Sequence, residues 1–189
     1  MTITIVNVPG YTNAGPAHWQ TLLEEKLANV KRVQQQDWLS PDRELWIQGI
    51  ENTVSKIDGD IILVGHSCGA VAIAQWALAC DSHKVKGALL VAPADIDRES
   101  AIAPIHVQRP LPEHTLPFTT KLIYSDNDEH SSVLRSEKMG KDWGSELILV
   151  KGASHFHTDA GFGEWPEAEK WIEQLAGMRC LTLYTRHLE

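Results

Sequence analysis

The sequence predicts an α/β protein: a three-layer α/β/α sandwich in which a parallel sheet of about six strands is covered by helices on both faces. Three observations predict it. Strand-like and helix-like segments alternate along most of the 189 residues, the pattern that builds parallel sheets through helical crossovers. Two strand-like segments, residues 61–64 and 85–92, are nearly continuous apolar runs, as expected of strands buried on both faces. The first of them passes through Gly65, His66, Ser67, Cys68 and Gly69 directly into a helical pattern, so a tight strand-to-helix turn lies there.

Each element follows from local pattern. Ile3–Val8 is a β-rich run stopped by Pro9 and Gly10. Residues 16–29 carry Trp19, Leu22, Leu23 and Leu27 at helical spacing, and residues 30–36 form a weaker strand. Ser40, Pro41, Asp42, Arg43 and Glu44 read as an N-cap, a proline at the first helical position and an acidic first turn; the helix they open is expected to bury Leu45, Trp46, Ile50 and Val54. After the turn at Ser67, residues 70–79 are small and apolar enough to pack closely on a sheet. Further strands are expected at residues 85–92, 118–125 and 146–150, with a helix over 131–142. Pro166 opens a last helix, Glu167 and Glu169 favour its N-terminal dipole, and Gly177 can close it. Between Pro93 and Pro117 five prolines prevent a long helix, which predicts an excursion over the C-terminal edge of the sheet, too short for a lid domain.

One domain over residues 1–180 is expected, followed by a tail at 181–189 whose Leu188 and Glu189 are compatible with a cloning scar. Hydrophobic residues at 43% and charged residues at 22% fit a globular chain, and no apolar run is long enough to span a bilayer. A net charge of -8 without a Lys/Arg cluster argues against a nucleic-acid surface. Three cysteines, Cys68, Cys80 and Cys180, have neither metal-ligand spacing nor an even disulfide framework, so a reducing, cytoplasmic setting is expected, with no metal and no cofactor. Neither phosphate-binding glycine motif is present.

The segment around Ser67 is a nucleophile-elbow signature. The turn closes only if its flanks, Gly65 and Gly69, lack bulky side chains; it then lifts the serine hydroxyl into the open, and the backbone N–H of Cys68 becomes one expected oxyanion donor. A serine hydroxyl attacks only when a base takes its proton and an acid orients that base, in the chain order Ser, Asp/Glu, His for this kind of fold. Chemistry sits beyond the C-terminal ends of parallel strands. There the loop after Tyr124 offers Asp126, Asp128 and Glu129 as acids, and the loop after Val150 offers His155 and His157 as bases. The loop Gly10, Tyr11, Thr12 follows the first strand, where Tyr11 N–H is the expected second oxyanion donor.

Several segments taken together resemble the small, lidless α/β-hydrolases typified by retinoblastoma-binding protein 9: Pro9-Gly10-Tyr11 with Gly15-Pro16-Ala17-His18-Trp19, Gln36-Asp37-Trp38, Gly65 to Gly69, Val91 to Asp95, Ser125 to Asp128, and His155 with Gly161 to Pro166. The resemblance runs from about Ile3 to Gly177 and implies a compact α/β-hydrolase fold with a triad of Ser67, Asp128 and His155. The chain departs from that pattern in Cys68, where leucine is common, in Glu129, where proline often follows, and in His157, a rival to His155. Two residues apart in an extended loop, the two histidines would point to opposite sides, and the short lead-in Gly152, Ala153, Ser154 brings His155 to the sheet edge first.

Most tryptophans read as packing residues, but Trp19 and Trp165 lie beside the resembling loops, and Trp165 is expected at the substrate along with His18. The implied activity is hydrolysis of small carboxylic esters, with amides and thioesters as related substrates, through an acyl-enzyme on Ser67. The expected partner is a small-molecule ester, with no nucleic acid, no membrane and no identifiable protein partner. The alternative is a non-catalytic protein-interaction module on a hydrolase scaffold. The nearest match to the L-x-C-x-E motif, at Leu78 to Ser82, lacks its glutamate and does not support such a partner.

Overall fold

A computed structural model describes residues 3–177; Cys180, His187 and the tail at 181–189 lie outside the described residues. Six strands form one sheet: β1 (Ile3–Val8), β2 (Val30–Arg32), β3 (Asp60–His66), β4 (Val85–Val91), β5 (Thr119–Tyr124) and β6 (Glu146–Leu149). Five helices accompany them: α1 (Trp19–Lys26), α2 (Arg43–Val54), α3 (Cys68–Ala79), α4 (Val133–Trp143) and α5 (Pro166–Ala176). The strand order is β2-β1-β3-β4-β5-β6 and every neighbouring pair is parallel.

The strands are apolar on both faces because each face has its own helical layer. Alternation along β3 sends Ile61 and Leu63 toward α2, α3 and α4, where Trp46, Ile50, Trp76 and Trp143 pack. Ile62 and Val64 go the other way, toward α1 and α5 and a cluster of Trp19, Leu23, Trp165 and Ile172. The α/β/α layering predicted from the sequence is the observed one, and the fold is a compact α/β-hydrolase fold.

Three local expectations are corrected. Helix α2 starts at Arg43, not after Ser40, because the Asp42 carboxylate accepts the Leu45 N–H at 3.0 Å and takes the N-cap. Leu45 is 37% exposed: Trp46, Ile50 and Val54, four residues apart, set the buried stripe, and Leu45 falls outside it. Helix α1 covers only Trp19–Lys26. The proline-rich excursion contains one short 3₁₀ helix, Ala103–Gln108, tied down by buried amides: Gln108 Nε2 donates to the Cys68 carbonyl at 2.8 Å, and Gln75 Nε2 donates to the Gln108 carbonyl at 2.7 Å.

Chain direction along the sheet reverses between β1, which leads outward to β2, and β3, which leads to the opposite edge. Loops beyond these two strand ends diverge and leave a crevice.

Candidate active site

Ser67 stands in that crevice, between β3 and α3, with φ 55° and ψ -125°, a left-handed conformation that side chains rarely adopt. The flanking glycines make it sterically feasible. A Cβ at Gly65 would lie 2.7 Å from Ala70 Cα, and one at Gly69 would come within 2.5 Å of the Pro9 carbonyl oxygen and collide with that of Val8. The backbone N–H groups of Cys68 and Tyr11 donate to no backbone carbonyl among the described residues. Burial pushes the Cys68 thiol up to about 12, although hydrogen bonds from the Tyr11 backbone, Ser67 and its own backbone offset part of that rise. At neutral pH the thiol is protonated, which leaves the Ser67 hydroxyl as the candidate nucleophile of this turn.

Asp128 and His155 arrive from the ends of β5 and β6. His155 Nδ1 is 2.9 Å from both carboxylate oxygens of Asp128, and its Nε2 is 2.9 Å from Ser67 Oγ. A carboxylate only accepts, so Nδ1 carries the proton and Nε2 is free to accept from the serine hydroxyl. The two loops are held together by side chains bonding across them: Asp126 Oδ1 accepts the Gly152 N–H at 2.7 Å, Ser125 Oγ that of Ala153 at 3.0 Å, and Asn127 Oδ1 that of Ser154 at 2.7 Å. Asp126 is thus a loop brace.

The base loop is not extended as expected. Ser154 and Phe156 both have left-handed φ values, 49° and 55°, and the fully buried Phe156 stacks on Trp165 with ring centroids 5.2 Å apart. The separation of the two histidines has a different cause. His157 Nδ1 accepts the Ala160 N–H at 3.2 Å and its Nε2 faces Glu129 Oε1 at 3.3 Å, so both ring nitrogens are engaged within the loops.

Around this run the cavity, about 340 Å³, is lined by Tyr11, Asn13, His18, His66, Ile102 and Ile105 among others. Tyr11, Cys68 and His18 are therefore brought together with Ser67 and His155. Trp165 is not: its ring packs against Phe156 and Trp19 behind the base loop and lines a separate cavity of about 390 Å³, along whose wall no hydroxyl, thiol or imidazole stands. The fully buried Phe156, with its left-handed φ, packs on Trp165 on the core side of the base loop. Among the described residues no group of three or more His, Cys, Asp or Glu could hold a metal ion, and no helix is long and apolar enough to cross a membrane.

Sequence reasoning missed several residues here. His66, not among the residues expected at the substrate, lies 2.8 Å through Nε2 from the His155 carbonyl oxygen and is ring-to-ring with His18 and His155 at 5.0 Å each. His130 packs edge-on against His155 at 4.4 Å. Burial holds His18 down at about 4, helped by the nearby Arg32 charge; it depresses His66 and, more weakly, His130 in the same direction. Arg32 shapes the Tyr11 side of the cavity by donating to Asn13 Oδ1, the Ala14 carbonyl and Thr21 Oγ1.

A family model described as serine hydrolase matches residues 5–174. Among solved structures, a YdeN-like hydrolase from Pectobacterium atrosepticum is 29% identical, with a TM-score of 0.83 over 93% of this chain and 91% of that one. The ydeN gene product of B. subtilis is 18% identical, with a TM-score of 0.76 over 93% of this chain and 100% of that one. Est1E from Butyrivibrio proteoclasticus, solved with ferulic acid bound, is 14% identical, with a TM-score of 0.63 over 93% and 87%. No curated protein matches the sequence.

Proposed function

The chain belongs to the serine hydrolase family, and from that premise we propose that it cleaves small carboxylic esters, with amides and thioesters as related substrates, through an acyl-enzyme on Ser67. The observation that carries the reading is the run from Ser67 Oγ to His155 Nε2 and from His155 Nδ1 to Asp128, each step 2.9 Å. The 29% identical Pectobacterium protein, itself described as a hydrolase, supports the same class. The motifs around Tyr11, His18 and Trp165 support the finer assignment to the lidless branch typified by retinoblastoma-binding protein 9, as one domain over residues 1–180.

The chemistry follows from the protonation states. Ser67 Oγ attacks the ester carbonyl carbon while His155 Nε2 takes its proton, and the imidazolium so formed is stabilised by Asp128. The carbonyl π electrons move to oxygen, and that oxyanion is received by the N–H groups of Tyr11 and Cys68 at the start of α3. Collapse expels the alcohol, which leaves with the proton from His155. Water, deprotonated by His155, then attacks the acyl carbon and releases the acid, restoring Ser67.

A cavity of about 340 Å³ is at the small end for ligand sites, and its aliphatic wall is limited to Ala94, Ile102 and Ile105. Short acyl groups fit that wall best. The test is labelling by a fluorophosphonate with mass-spectrometric site mapping. Ser67 alone should be modified, and Ser67→Ala should abolish both labelling and esterase activity; a folded wild-type protein that resists labelling refutes the reading and supports a binding-only scaffold.

A further inference from the structure

Four imidazoles besides His155 line the cavity; two of them, His18 and His66, stand ring to ring, and the protein dictates the tautomer of each. His18 Nδ1 accepts the Gln20 N–H at 3.2 Å, so the single proton of the neutral ring is on Nε2. His66 Nε2 lies 2.8 Å from the His155 carbonyl oxygen, which can only accept, so the proton of this ring is on Nε2 and Nδ1 is a bare acceptor. Among the described residues neither His18 Nε2 nor His66 Nδ1 makes a hydrogen bond, and neither is among the buried polar atoms left without a partner. Both rings line the cavity, so these two nitrogens are open to it. The ring centroids are 5.0 Å apart, and His66 is equally close to His155.

We propose that His18 and His66 form a hydroxyl-binding subsite beside Ser67, and that the substrates this site prefers are esters whose acyl chain carries a hydroxyl group near the scissile carbonyl. The proposal rests on the ester-hydrolase reading above. One hydroxyl satisfies both nitrogens at once, accepting from His18 Nε2–H and donating to His66 Nδ1. A ketone or ether oxygen would leave His66 unsatisfied, an ammonium would find no acceptor at His18, and a carboxylate would face the bare lone pair of His66. The charge of the wall agrees: no Lys, Arg, Asp or Glu lines this cavity, so it has nothing to neutralise a charged substituent. Burial keeps both rings neutral through the physiological range, so the donor and acceptor pattern is constant. Ile102 and Ile105, the apolar part of the wall, are left for the hydrocarbon end of a short chain.

The experiment compares ethyl butanoate with ethyl 2-hydroxybutanoate and ethyl 3-hydroxybutanoate by pH-stat. At least one hydroxy ester should show a kcat/KM about tenfold above the plain ester, the size expected of one well-made hydrogen bond in a buried site. In His18→Asn, which keeps a side-chain acceptor at the start of α1 but loses the Nε2 donor, that ratio should fall to about one. A ratio near one in the wild type, or a preference that survives His18→Asn, overturns the subsite. Should the variant not fold, ¹⁵N chemical shifts of the wild-type histidines decide independently: an Nε2–H tautomer at His18 supports the subsite, and an Nδ1–H tautomer overturns it. Turnover of the plain ester without hydroxyl preference refutes the subsite alone, whereas failure of all three esters, with Ser67 unlabelled by fluorophosphonate, refutes the hydrolase reading beneath it.

Discussion

Replacing His155 and His157 by alanine, one at a time, tests the proposal that His155 moves the proton while His157 only holds a loop. In His155→Ala the Ser67 hydroxyl loses its acceptor and the Asp128 carboxylate, whose side chain is 2% exposed, loses the imidazole and retains the His130 N–H at 2.8 Å. Loss of a triad member reduces kcat by roughly 10³ or more, about 4 kcal/mol of transition-state stabilisation. Leaving a buried carboxylate short of a partner adds about 1–3 kcal/mol of destabilisation. His157→Ala removes the acceptor for Ala160 N–H and the contact to Glu129, both in a partly exposed loop. Loss of such a cap costs about 1 kcal/mol and an exposed pair a few tenths more, which for a domain of this size lowers Tm by roughly 2–6 °C. Its kcat should fall tenfold or less, as an order-of-magnitude expectation for a residue outside the proton path. The assay is kcat and KM on a butanoate ester together with a thermal melt of each variant. Equal losses of kcat, or a larger loss in His157→Ala with both proteins folded, would refute the assignment of His155 as the base.

Three further outcomes follow from the same geometry. Across a straight-chain ester series kcat/KM should peak at roughly two to four acyl carbons, because each further methylene is worth about 0.8 kcal/mol only where an apolar wall can bury it, and the wall ends at Ile102 and Ile105; a maximum at about eight carbons or more contradicts this. Gly69→Ala should prevent folding or lower stability by about 3 kcal/mol or more, since its Cβ would strike the Val8 and Pro9 carbonyl oxygens, whereas Gly15→Ala, with nothing within 4 Å, should be near neutral; comparable urea midpoints for the two would show the elbow is not close-packed. Stability should fall as pH drops from 6.5 toward 4, because the unfolded chain protonates His18 and His66 in a range where the folded protein keeps them neutral. For His18, 8% exposed and held at about 4, the loss amounts to about 3 kcal/mol, so His18→Asn should flatten the pH dependence of the urea midpoint, and an unchanged slope refutes the burial argument.

What the sequence by itself determined is what nearest neighbours along the chain decide. Apolar runs at 61–64 and 85–92 had to lie between two layers because they have no polar face to offer water. Gly65 and Gly69 could flank a strained serine because a missing Cβ is a local property, and Gly177 could end α5 for the same reason, its φ being 63°. All three candidate acids and both candidate bases were narrowed to two loops by strand polarity alone. Tertiary structure decided the rest. His157 lines the same cavity as Ser67 but has its ring nitrogens engaged by Ala160 and by Glu129, the latter 28 residues distant in the chain. The bracing of the base loop comes from Ser125, Asp126 and Asn127 on another strand's end, and the stacking of Phe156 on Trp165 is an outcome of core packing. Local periodicity carries no record of these contacts, since they form only when β5 and β6 lie side by side. The pairing of His66 with the His155 carbonyl, across 89 positions, is of the same kind: a hydrogen bond between loops whose proximity the assembled sheet creates.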